Sequence, residues 1–561
     1  MENQRPLLYM TLFFLGFLIW QAWVTDHAPP PVEKAETIAA AETTAEGNNR
    51  DDLPDAEDVV SEKKEITSIA KSSPAAETVH IKTDVLDVTI STQGGDILEV
   101  KLPSYPVSLE QQDIPFTLLT QGPPRYIAQS GLLHDKQAGE DRSHRAPNHY
   151  ALFTSAQNEY TLQPGAKKLE VPLTWQNEEG ILIEKVYIFY PGEFHIDVEY
   201  HIQNASGTSW QGRQYRQLRR TVAEDEKKGS MLMGTAAYVG TAYFDGKYEK
   251  LKFKDIAEEK LNKEITGGWV SMVQHYFISA WIPASQEDPE KVYAKQIDSA
   301  AGPEYLIGLR SAAHTIPAGE SGSIKTRFYG GPKLHEKVSK MAPGLDLTSD
   351  YGIFTVIARP IFWLLRKIHS VVGNWGWAII FLTLIIKLMF YKLSETSYRS
   401  MANMRKLAPK LKALKDRVGD DKQKYQQAMM ELYKKEKINP MGGCLPILIQ
   451  IPVFISLYWV LLEAVELRQA PWMLWIKDLS IKDPYFVLPL LMGATMFIQQ
   501  KLNPPPPDPM QAKIFMALPF VFTVFFAFFP AGLVLYWFVN SLLSISQQWV
   551  ITRNIEKAAK N

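Results

Sequence analysis

The residue with the clearest potential for chemistry is Lys387, a lysine inside an apolar stretch. It lies in the segment Phe381 to Tyr391, with Thr383 one helical turn earlier on the same face. A charged group in hydrocarbon is costly and commonly marks a functional site. An alternative stays open, because Tyr391 is only four residues away and the lysine stem could extend to the headgroup region, where its charge would need no partner.

A second group of polar residues recurs at helical spacing in the last apolar stretch. It comprises Tyr536, Asn540, Ser544 and Gln547, with Trp537 and Gln548 beside them. A polar stripe in a membrane helix needs partners or water, although small and polar residues also hold neighbouring helices together. If the lysine and this stripe face one space, they would line a water-filled recess that stops part-way across the bilayer. We therefore predict a groove and not a pore.

Motifs for the common enzyme chemistries are missing. The chain has no GxxxxGK[ST] phosphate loop, no GxGxxG after a strand, no HExxH and no GxSxG. Its single cysteine, Cys444, excludes an internal disulfide framework and a CxxC metal site. We predict that the protein is not an enzyme and has no catalytic residues, no cofactor and no metal.

Two other classes of protein fit parts of the sequence. A secondary transporter also carries intramembrane charge, but it predicts interrupted helices at matching positions of a repeat, and the sequence shows none. A membrane-anchored sugar enzyme or binding module would need converging acid and base groups in the strand-rich region. Six of the histidines in that region could supply such groups, and because their spacing reveals no site we interpret them as surface or structural residues. They are His134, His144, His149, His195, His275 and His314.

Apolar stretches predict six transmembrane α-helices. The first, in residues 1–27, has no small-x-small cleavage pattern, so we interpret it as an uncleaved anchor. The other five form a core at 371–552, where Pro530-Ala531-Gly532 separates the last two. Residues 351–370 carry charges around a short apolar segment and predict an interfacial amphipathic helix.

Loop charges predict the orientation of these helices. Loop 392–440 is strongly basic and the short tail 553–561 is mildly basic, which places both in the cytoplasm together with the amino terminus. Residues 80–341 must then lie in the periplasm. The formal net charge of the whole chain is only -1, which argues against direct nucleic-acid binding. The predicted location is the inner membrane, with several spans.

The region outside the membrane has two parts. Residues 28–79 are acidic and poor in large apolar side chains, and predict a disordered linker. From 80 to 341 the dominant signal has period two, as in the strand where Ile196 and Val198 alternate with polar residues. Pro191-Gly192-Glu193 before this strand indicates a hairpin. A region of this size built from such strands predicts a large β-sandwich.

The basic loop 392–440 also has internal order. Its apolar residues recur at three- and four-residue spacing on both sides of Gly419-Asp420-Asp421, which predicts an antiparallel helical hairpin. Pro409 lies inside the first of these stripes and should kink that helix or mark a break.

Four further segments carry specific signatures. They are Asn439–Pro452, Val465–Pro471, Asp508–Met510 and Gly532–Trp537. These segments closely resemble those of the YidC/Oxa/Alb family of membrane insertases, and the resemblance covers about 351–551. The anchor, the linker and the large periplasmic domain match its Gram-negative form in layout. In that form the periplasmic domain is a β-supersandwich similar to galactose mutarotases.

The resemblance implies an insertase and chaperone that assists insertion, folding and assembly of inner-membrane proteins, alone or with the Sec translocon. In the family, five core helices enclose a hydrophilic groove open to the cytoplasm, and its key positive residue, often Arg, matches Lys387. Tyr536 and Trp537 match positions that face the groove or the incoming chain, and Asp508 and Pro509 match the second cytoplasmic loop. The implied partners are nascent membrane proteins, the Sec translocon and its accessory subunits, membrane lipids and, weakly or through a loop, the ribosome.

Overall fold

The computed structural model describes the larger part of the chain. The described residues are 52–54, 76–135, 143–222, 238–258, 260–299, 302–419, 421–436, 445–503 and 509–558. The predicted anchor 1–27, most of the linker 28–79, Asp508 and the end of the tail 553–561 lie outside them. The described chain has a strand domain at Thr78–Pro332 and a helical domain at Thr355–Ala558.

The strand domain contains two sheets that enclose one apolar core. The strands of the first sheet are β1 (Thr78–Lys82), β2 (Asp87–Ser91), β3 (Ile97–Pro106), β4 (Pro115–Leu119), β5 (Tyr126–His134), β7 (Glu159–Thr161), β11 (Trp210–Thr221), β14 (Leu261–Thr266), β17 (Pro289–Ser299), β18 (Gly302–Ser311) and β19 (His314–Ile316). The strands of the second sheet are β6 (Thr154–Ser155), β8 (Leu169–Gln176), β9 (Ile181–Phe189), β10 (His195–Asn204), β12 (Gly240–Phe244), β13 (Tyr248–Leu251), β15 (Trp269–Val273), β16 (Phe277–Pro283) and β20 (Ser321–Pro332).

Strand order differs from chain order in both sheets. In the described residues, the first sheet runs β14-β17-β18-β11-β5-β3-β2-β1-β7, with β19 paired to β11 and β4 paired to β3. The second runs β13-β12-β15-β16-β20-β10-β9-β8-β6. The predicted β-sandwich is confirmed, and β11 lies well inside its sheet, between β18 and β5.

The period-two pattern places its apolar residues in the core. On β10, Ile196, Val198 and Tyr200 are buried, and the polar residues between them are only partly covered. The predicted hairpin is confirmed, because β9 and β10 pair antiparallel with Ile196 opposite Phe189. Burial alternates along β10 because successive side chains point to opposite faces of a strand.

Three residues of the predicted linker lie against the strand domain. Asp52 and Pro54 are buried, and Leu53 is partly covered. The linker prediction is therefore wrong for these three residues, and its end at 79 is also wrong because Thr78 and Val79 belong to β1. That prediction depends on the low apolar content of 28–79. Composition does not reveal the polar contacts that hold Asp52.

The helices follow the sandwich along the chain, apart from one short helix within it. They are α1 (Phe253–Glu258), α2 (His335–Met341), α3 (Thr355–Val372), α4 (Trp375–Met389), α5 (Tyr391–Val418), α6 (Lys422–Lys435), α7 (Leu445–Glu463), α8 (Val487–Leu502), α9 (Pro509–Phe526) and α10 (Ala531–Ala558). Within the described ranges, no helix by itself has the length and hydrophobicity to cross a membrane, whereas the bent pair Trp375–Met389 and Tyr391–Met404, at 67°, meets that test together. The six predicted spans stay a prediction.

Local signals explain where several helices begin and end. Gly373, with φ of 72°, ends α3, and its N–H donates to the carbonyl of His369. The Asn374 side chain then caps α4 by accepting from the N–H of Trp377. Pro530 lies between α9 and α10, as the sequence predicts. Pro409, in contrast, lies inside α5 and does not end it.

Helices α3, α4, α7, α8, α9 and α10 surround a second apolar core. α10 packs against α4, α8 and α5, and α3 packs against α4 and α7. The outward faces remain strongly apolar. Large side chains on them that are more than half exposed include Leu388, Met389, Leu490, Phe520, Val524 and Trp549.

The two domains are joined by polar contacts that converge on the end of α7 and the loop after it. The Lys333 ammonium lies 2.7 Å from the Glu463 carboxylate, and both side chains are 1% exposed. Nε2 of His275 lies 2.9 Å from the carbonyl oxygen of Leu462. The Arg468 guanidinium donates to the carbonyl of Pro106 over 2.6 Å. These bonds fix the sandwich against one end of the helical domain.

Candidate functional site

Lys387 lies two residues before the end of α4, and its side chain turns inward. The residue is only 9% exposed. Its Nζ donates a 2.7 Å hydrogen bond to Oγ of Ser544 on α10. Within the part of the chain that the structure describes, this is its one polar contact and no carboxylate pairs with it. An ammonium has three donors, so two of them have no acceptor among those residues.

The hydroxyl that accepts from Lys387 is held by its own helix. Ser544 Oγ donates over 2.8 Å to the carbonyl of Asn540, one turn earlier. Tyr398 on α5 donates over 3.5 Å to the Ser544 carbonyl. Helices α4, α5 and α10 therefore meet at the lysine, and Asn540 contributes its backbone to this arrangement.

Thr383 lies on the same face of α4 as Lys387 but its hydroxyl serves the helix. Oγ1 donates over 2.6 Å to the carbonyl of Ile379, and the residue is buried. A threonine that bonds its own helix can sit in an apolar layer without an external partner. The predicted role of Thr383 in binding a substrate therefore stays a prediction.

Tyr536 and Trp537 lie about two turns before Ser544 on α10 and are surrounded by aromatic rings. The Tyr536 ring centre is 5.2 Å from that of Phe454 on α7. The Trp537 ring centre is 4.0 Å from that of Phe454 and 5.1 Å from that of Phe526 on α9. Eight helical residues rise about 12 Å, so these rings lie well along α10 from the lysine.

Glutamines continue the polar stripe beyond Ser544. Gln547 Nε2 donates over 3.5 Å to the carbonyl of Tyr391, and Gln548 Nε2 donates over 3.3 Å to the carbonyl of Leu502. The Oε1 atoms of both glutamines are buried and have no hydrogen-bond partner among the described residues. Buried polar atoms without a partner are rare in proteins and commonly indicate water or a ligand. Gln548 lies directly beside this stripe, as its position in the sequence indicates.

The structure thus brings part of the predicted set together. Lys387, Ser544 and Gln547 lie where α4, α5 and α10 meet, whereas Tyr536 and Trp537 lie in the aromatic layer further along. Asp508 lies outside the described residues, and Pro509 is the first residue of α9. No group of three or more His, Cys, Asp or Glu residues suited to a metal ion occurs in the ranges described. What this arrangement offers chemically is a buried cation with spare donors beside hydroxyl and amide groups.

Sequence reasoning missed the polar contacts between the domains. Glu463 follows an apolar run directly, and a charge at the end of such a run is the available signal. Its partner Lys333 is 130 residues away in the chain, at the end of a strand. Nothing in the local sequence pairs the two, because the pairing depends on how the sandwich docks.

Comparisons with known proteins are consistent along the whole chain. The family model described as YidC periplasmic domain matches residues 78–364, and that described as 60Kd inner membrane protein matches residues 367–558. The chain is 53% identical over 568 residues to a membrane protein insertase YidC from Thioalkalivibrio sulfidiphilus (strain HL-EbGR7), with 100% of each chain covered. It is 50% identical over 559 residues to a protein of the same name from Methylococcus capsulatus (strain ATCC 33009 / NCIMB 11132 / Bath), with 99% of each covered.

Among solved structures, one similar chain is an active YidC insertase crystal structure with the first transmembrane domain resolved. The identity is 16%, the coverage is 84% of this chain and 92% of that chain, and the TM-score is 0.37.

Proposed function

The chain belongs to the YidC family of membrane protein insertases, and from this premise we propose how its helical domain works. Its function is membrane protein insertion, its substrates are nascent membrane proteins, and the family carries out no enzymatic reaction. It is an inner-membrane protein with a periplasmic domain. The finer proposal concerns the groove, the topology and the partners.

We propose that Lys387 attracts acidic residues that flank the apolar segment of a substrate. The observation that carries this proposal is the buried ammonium with one hydroxyl partner and no carboxylate in the described chain. A cation in low dielectric attracts an anion far more strongly than it would in water. The hydroxyl of Ser544 and the unpaired amide oxygens of Gln547 and Gln548 support a wet recess around it, open to the cytoplasm.

Hydrophobic partitioning supplies the driving force for insertion. The polar flank passes through the recess while the apolar segment slides along the outer faces of the helices, past the partly covered Trp537, into lipid. Each CH₂ group buried in this way contributes about 0.8 kcal/mol. Exposed apolar side chains such as Leu388 and Phe520 support a lipid-facing surface. No covalent bond changes in this mechanism.

The proposed topology has six spans with both termini in the cytoplasm. The basic hairpin α5 and α6 supports a cytoplasmic location for that loop, since positive loops stay in the cytoplasm. The sandwich then faces the periplasm. Helix α3 is proposed to lie in the interface, because Ile353 and Val356 near its start are 89% and 83% exposed, and Trp363 is 61% exposed.

The proposed partners follow from this arrangement. We include the Sec translocon and its accessory subunits, with which the protein would assist folding and assembly, as well as a Sec-independent mode. Ribosome contact would be weak and would use the cytoplasmic loops, including the segment around Asp508 and Pro509.

The test is insertion of a short, one- or two-span protein into lipid vesicles that contain the purified chain, read by protease protection. The Lys387→Met variant should insert at least about tenfold more slowly, which corresponds to about 1.4 kcal/mol of lost attraction. Lys387→Arg should retain most of the activity because it keeps the charge. Lys392→Met is the matched control, since the Lys392 side chain is 91% exposed. Equal insertion by the Lys387→Met and wild-type chains would contradict the proposed role of the cation.

A further inference from the structure

A polar pocket on the first sheet of the strand domain holds a carboxylate from the segment before the domain. Asp52 is 4% exposed, although it lies 26 residues before the first strand. The Arg219 guanidinium donates to its Oδ2 over 2.9 Å, and the Tyr150 hydroxyl donates to its Oδ1 over 2.5 Å. Nε2 of His149 lies 3.1 Å from the same Oδ2. Three donors of three different types therefore converge on one carboxylate.

The pocket also binds the backbone of this segment. Gln217 Nε2 donates over 3.2 Å to the carbonyl of Asp52, and Lys295 Nζ donates over 2.7 Å to the carbonyl of Leu53. Gln217 and Arg219 are two residues apart on β11, so both point to the same face of the sheet. Lys295 reaches the segment from β17. The pocket thus recognises a carboxylate together with the two carbonyls that follow it.

A second layer of hydrogen bonds holds the donors in place. Nδ1 of His149 lies 2.5 Å from the Tyr215 hydroxyl, which also accepts from the His149 N–H over 2.9 Å. The contact with Tyr215 fixes the ring so that Nε2 is directed at Asp52. Gln217 is oriented by Tyr293, whose hydroxyl donates to Oε1 over 2.9 Å. A site whose donors are fixed in advance binds with less loss of side-chain freedom.

The electrostatics of the pocket favour an ionised occupant. Burial alone would raise the pKa of Asp52, but the hydrogen bond and charge of His149, the Tyr150 hydroxyl and the charge of Arg219 outweigh it and lower that pKa to about 2. Arg219 forms ion pairs with two carboxylates, those of Glu304 and Asp52. Without Asp52, Nη1 of Arg219 would lose that acceptor.

We propose that this pocket is a binding site for an acidic peptide segment, and that Asp52–Pro54 is its resident occupant in cis. The site ties the chain before the sandwich to the first sheet at a defined point. It recognises this segment through the Asp52 carboxylate and the backbone carbonyls of Asp52 and Leu53, and Pro54 is also buried. When Asp52 is removed, the same donors are available to an acidic segment supplied in trans. This inference does not depend on how insertion occurs.

Carboxyl footprinting of the full chain tests the occupancy of the pocket. The chain in detergent is labelled with a water-soluble carbodiimide and an amine, and the labelling rate of Asp52 is read by tandem mass spectrometry. A free synthetic peptide of residues 48–58 gives the rate for the same carboxylate when exposed. We expect labelling of Asp52 in the chain to be at least about tenfold slower than in the peptide, and Tyr150→Phe to raise it.

The control variant is Tyr190→Phe, which removes a hydroxyl that donates to Asp197 elsewhere in the domain. It should leave the labelling of Asp52 unchanged. Equal labelling of Asp52 in the wild-type chain and in the peptide would overturn the proposal.

Binding in trans tests the ligand class. A fluorescent peptide of residues 48–58 should bind the Asp52→Ala chain and bind the wild-type chain at least about tenfold more weakly. The same peptide with Asp52 replaced by Ala keeps its other acids, so it should not bind if the pocket selects one carboxylate. No binding of the wild-type peptide to the Asp52→Ala chain at about 1 mM, the order of concentration that a short tether imposes, would overturn the site as a peptide-binding site.

Discussion

The ammonium of Lys333 and the carboxylate of Glu463 form an ion pair of 2.7 Å with both side chains 1% exposed. Lys333 lies just after β20, and Glu463 is the last residue of α7. Lys333 also donates over 3.2 Å to the carbonyl of Thr348. This pair therefore joins the sandwich to the helical domain through two charged side chains that are buried from solvent.

Breaking this pair should destabilise the folded chain strongly. Glu463→Gln leaves the buried Lys333 charge without its counter-ion, and removal of one partner of a buried pair costs about 3–5 kcal/mol. We expect a clearly lower apparent unfolding midpoint in detergent, measured by intrinsic fluorescence. The double variant Lys333→Met and Glu463→Leu should recover most of the loss, since apolar residues can replace a buried pair.

The matched control is Lys325→Met, which removes an ion pair between Lys325 and Glu199. Lys325 lies on β20, the strand that leads to Lys333, and Glu199 lies on β10. The Lys325 side chain is 52% exposed, so its loss should cost less than about 1 kcal/mol. If Glu463→Gln and Lys325→Met lower the unfolding midpoint equally, the buried pair contributes no more to stability than an exposed one.

His275 should make the junction between the domains sensitive to acid. Burial, followed by the nearby charge of Lys333, lowers the pKa of His275 from 6.5 to about 4, against a hydrogen bond to Leu462 that raises it. Between these two values the unfolded chain binds a proton that the folded chain does not. The free energy of unfolding therefore falls as the pH falls from 6.5 to 4, by on the order of 3 kcal/mol, and this loss levels off below pH 4.

The measurement compares unfolding midpoints of the wild-type and His275→Gln chains at several pH values between 7.5 and 4. Glutamine can donate to the Leu462 carbonyl but does not titrate in this range. The wild-type midpoint should decline more steeply than that of the variant. Parallel curves would exclude His275 as the source of acid sensitivity.

Gly493 permits the close approach of α8 and α9. A Cβ added to it would collide with Oγ1 of Thr523, which donates over 2.7 Å to the carbonyl of Pro519. Gly493→Ala should therefore separate these helices or displace Thr523, at a cost of about 1–3 kcal/mol. The same unfolding assay detects the loss.

A second substitution tests the cause of this effect. Thr523→Ala removes the colliding atom, so the double variant Gly493→Ala and Thr523→Ala should be more stable than Gly493→Ala alone. Gly207→Ala is the control, since nothing lies within 4 Å of its added Cβ. If the two helical substitutions are simply additive, steric contact between these residues is not the cause.

Local patterns in the sequence predict several individual elements of both domains. The alternation around Ile196 and Val198 predicts β10, and Pro191-Gly192-Glu193 predicts its hairpin with β9. Pro530 predicts the break between α9 and α10. Pro409 does not break α5, so of the two outcomes expected there only a kink stays a prediction. A proline removes one helical hydrogen bond, and the remaining turns of a 28-residue helix continue past it.

Contacts between distant segments could not be predicted in the same way. Asp52 lies 167 residues before Arg219, and its acidic neighbours in the sequence look equivalent to it by composition. Strand order is likewise set by how the two sheets close over one core. For Lys387, the sequence left two alternatives, headgroup contact or an inward position, because only the packing of α4 on α10 brings Ser544 to the ammonium.

The most direct measurement reverses the charge at Lys387 and, separately, the charge of the substrate flank. It measures insertion into vesicles that contain the purified chain. Lys387→Glu should insert a substrate with an acidic flank at least about tenfold more slowly than the wild-type chain does. A substrate whose flanking acids are replaced by Lys should show the opposite preference and be inserted better by Lys387→Glu. This reversal is the result that an attractive cation predicts. If both chains insert both substrates at the same rates, the cation does not contact the substrate flank and the account is wrong.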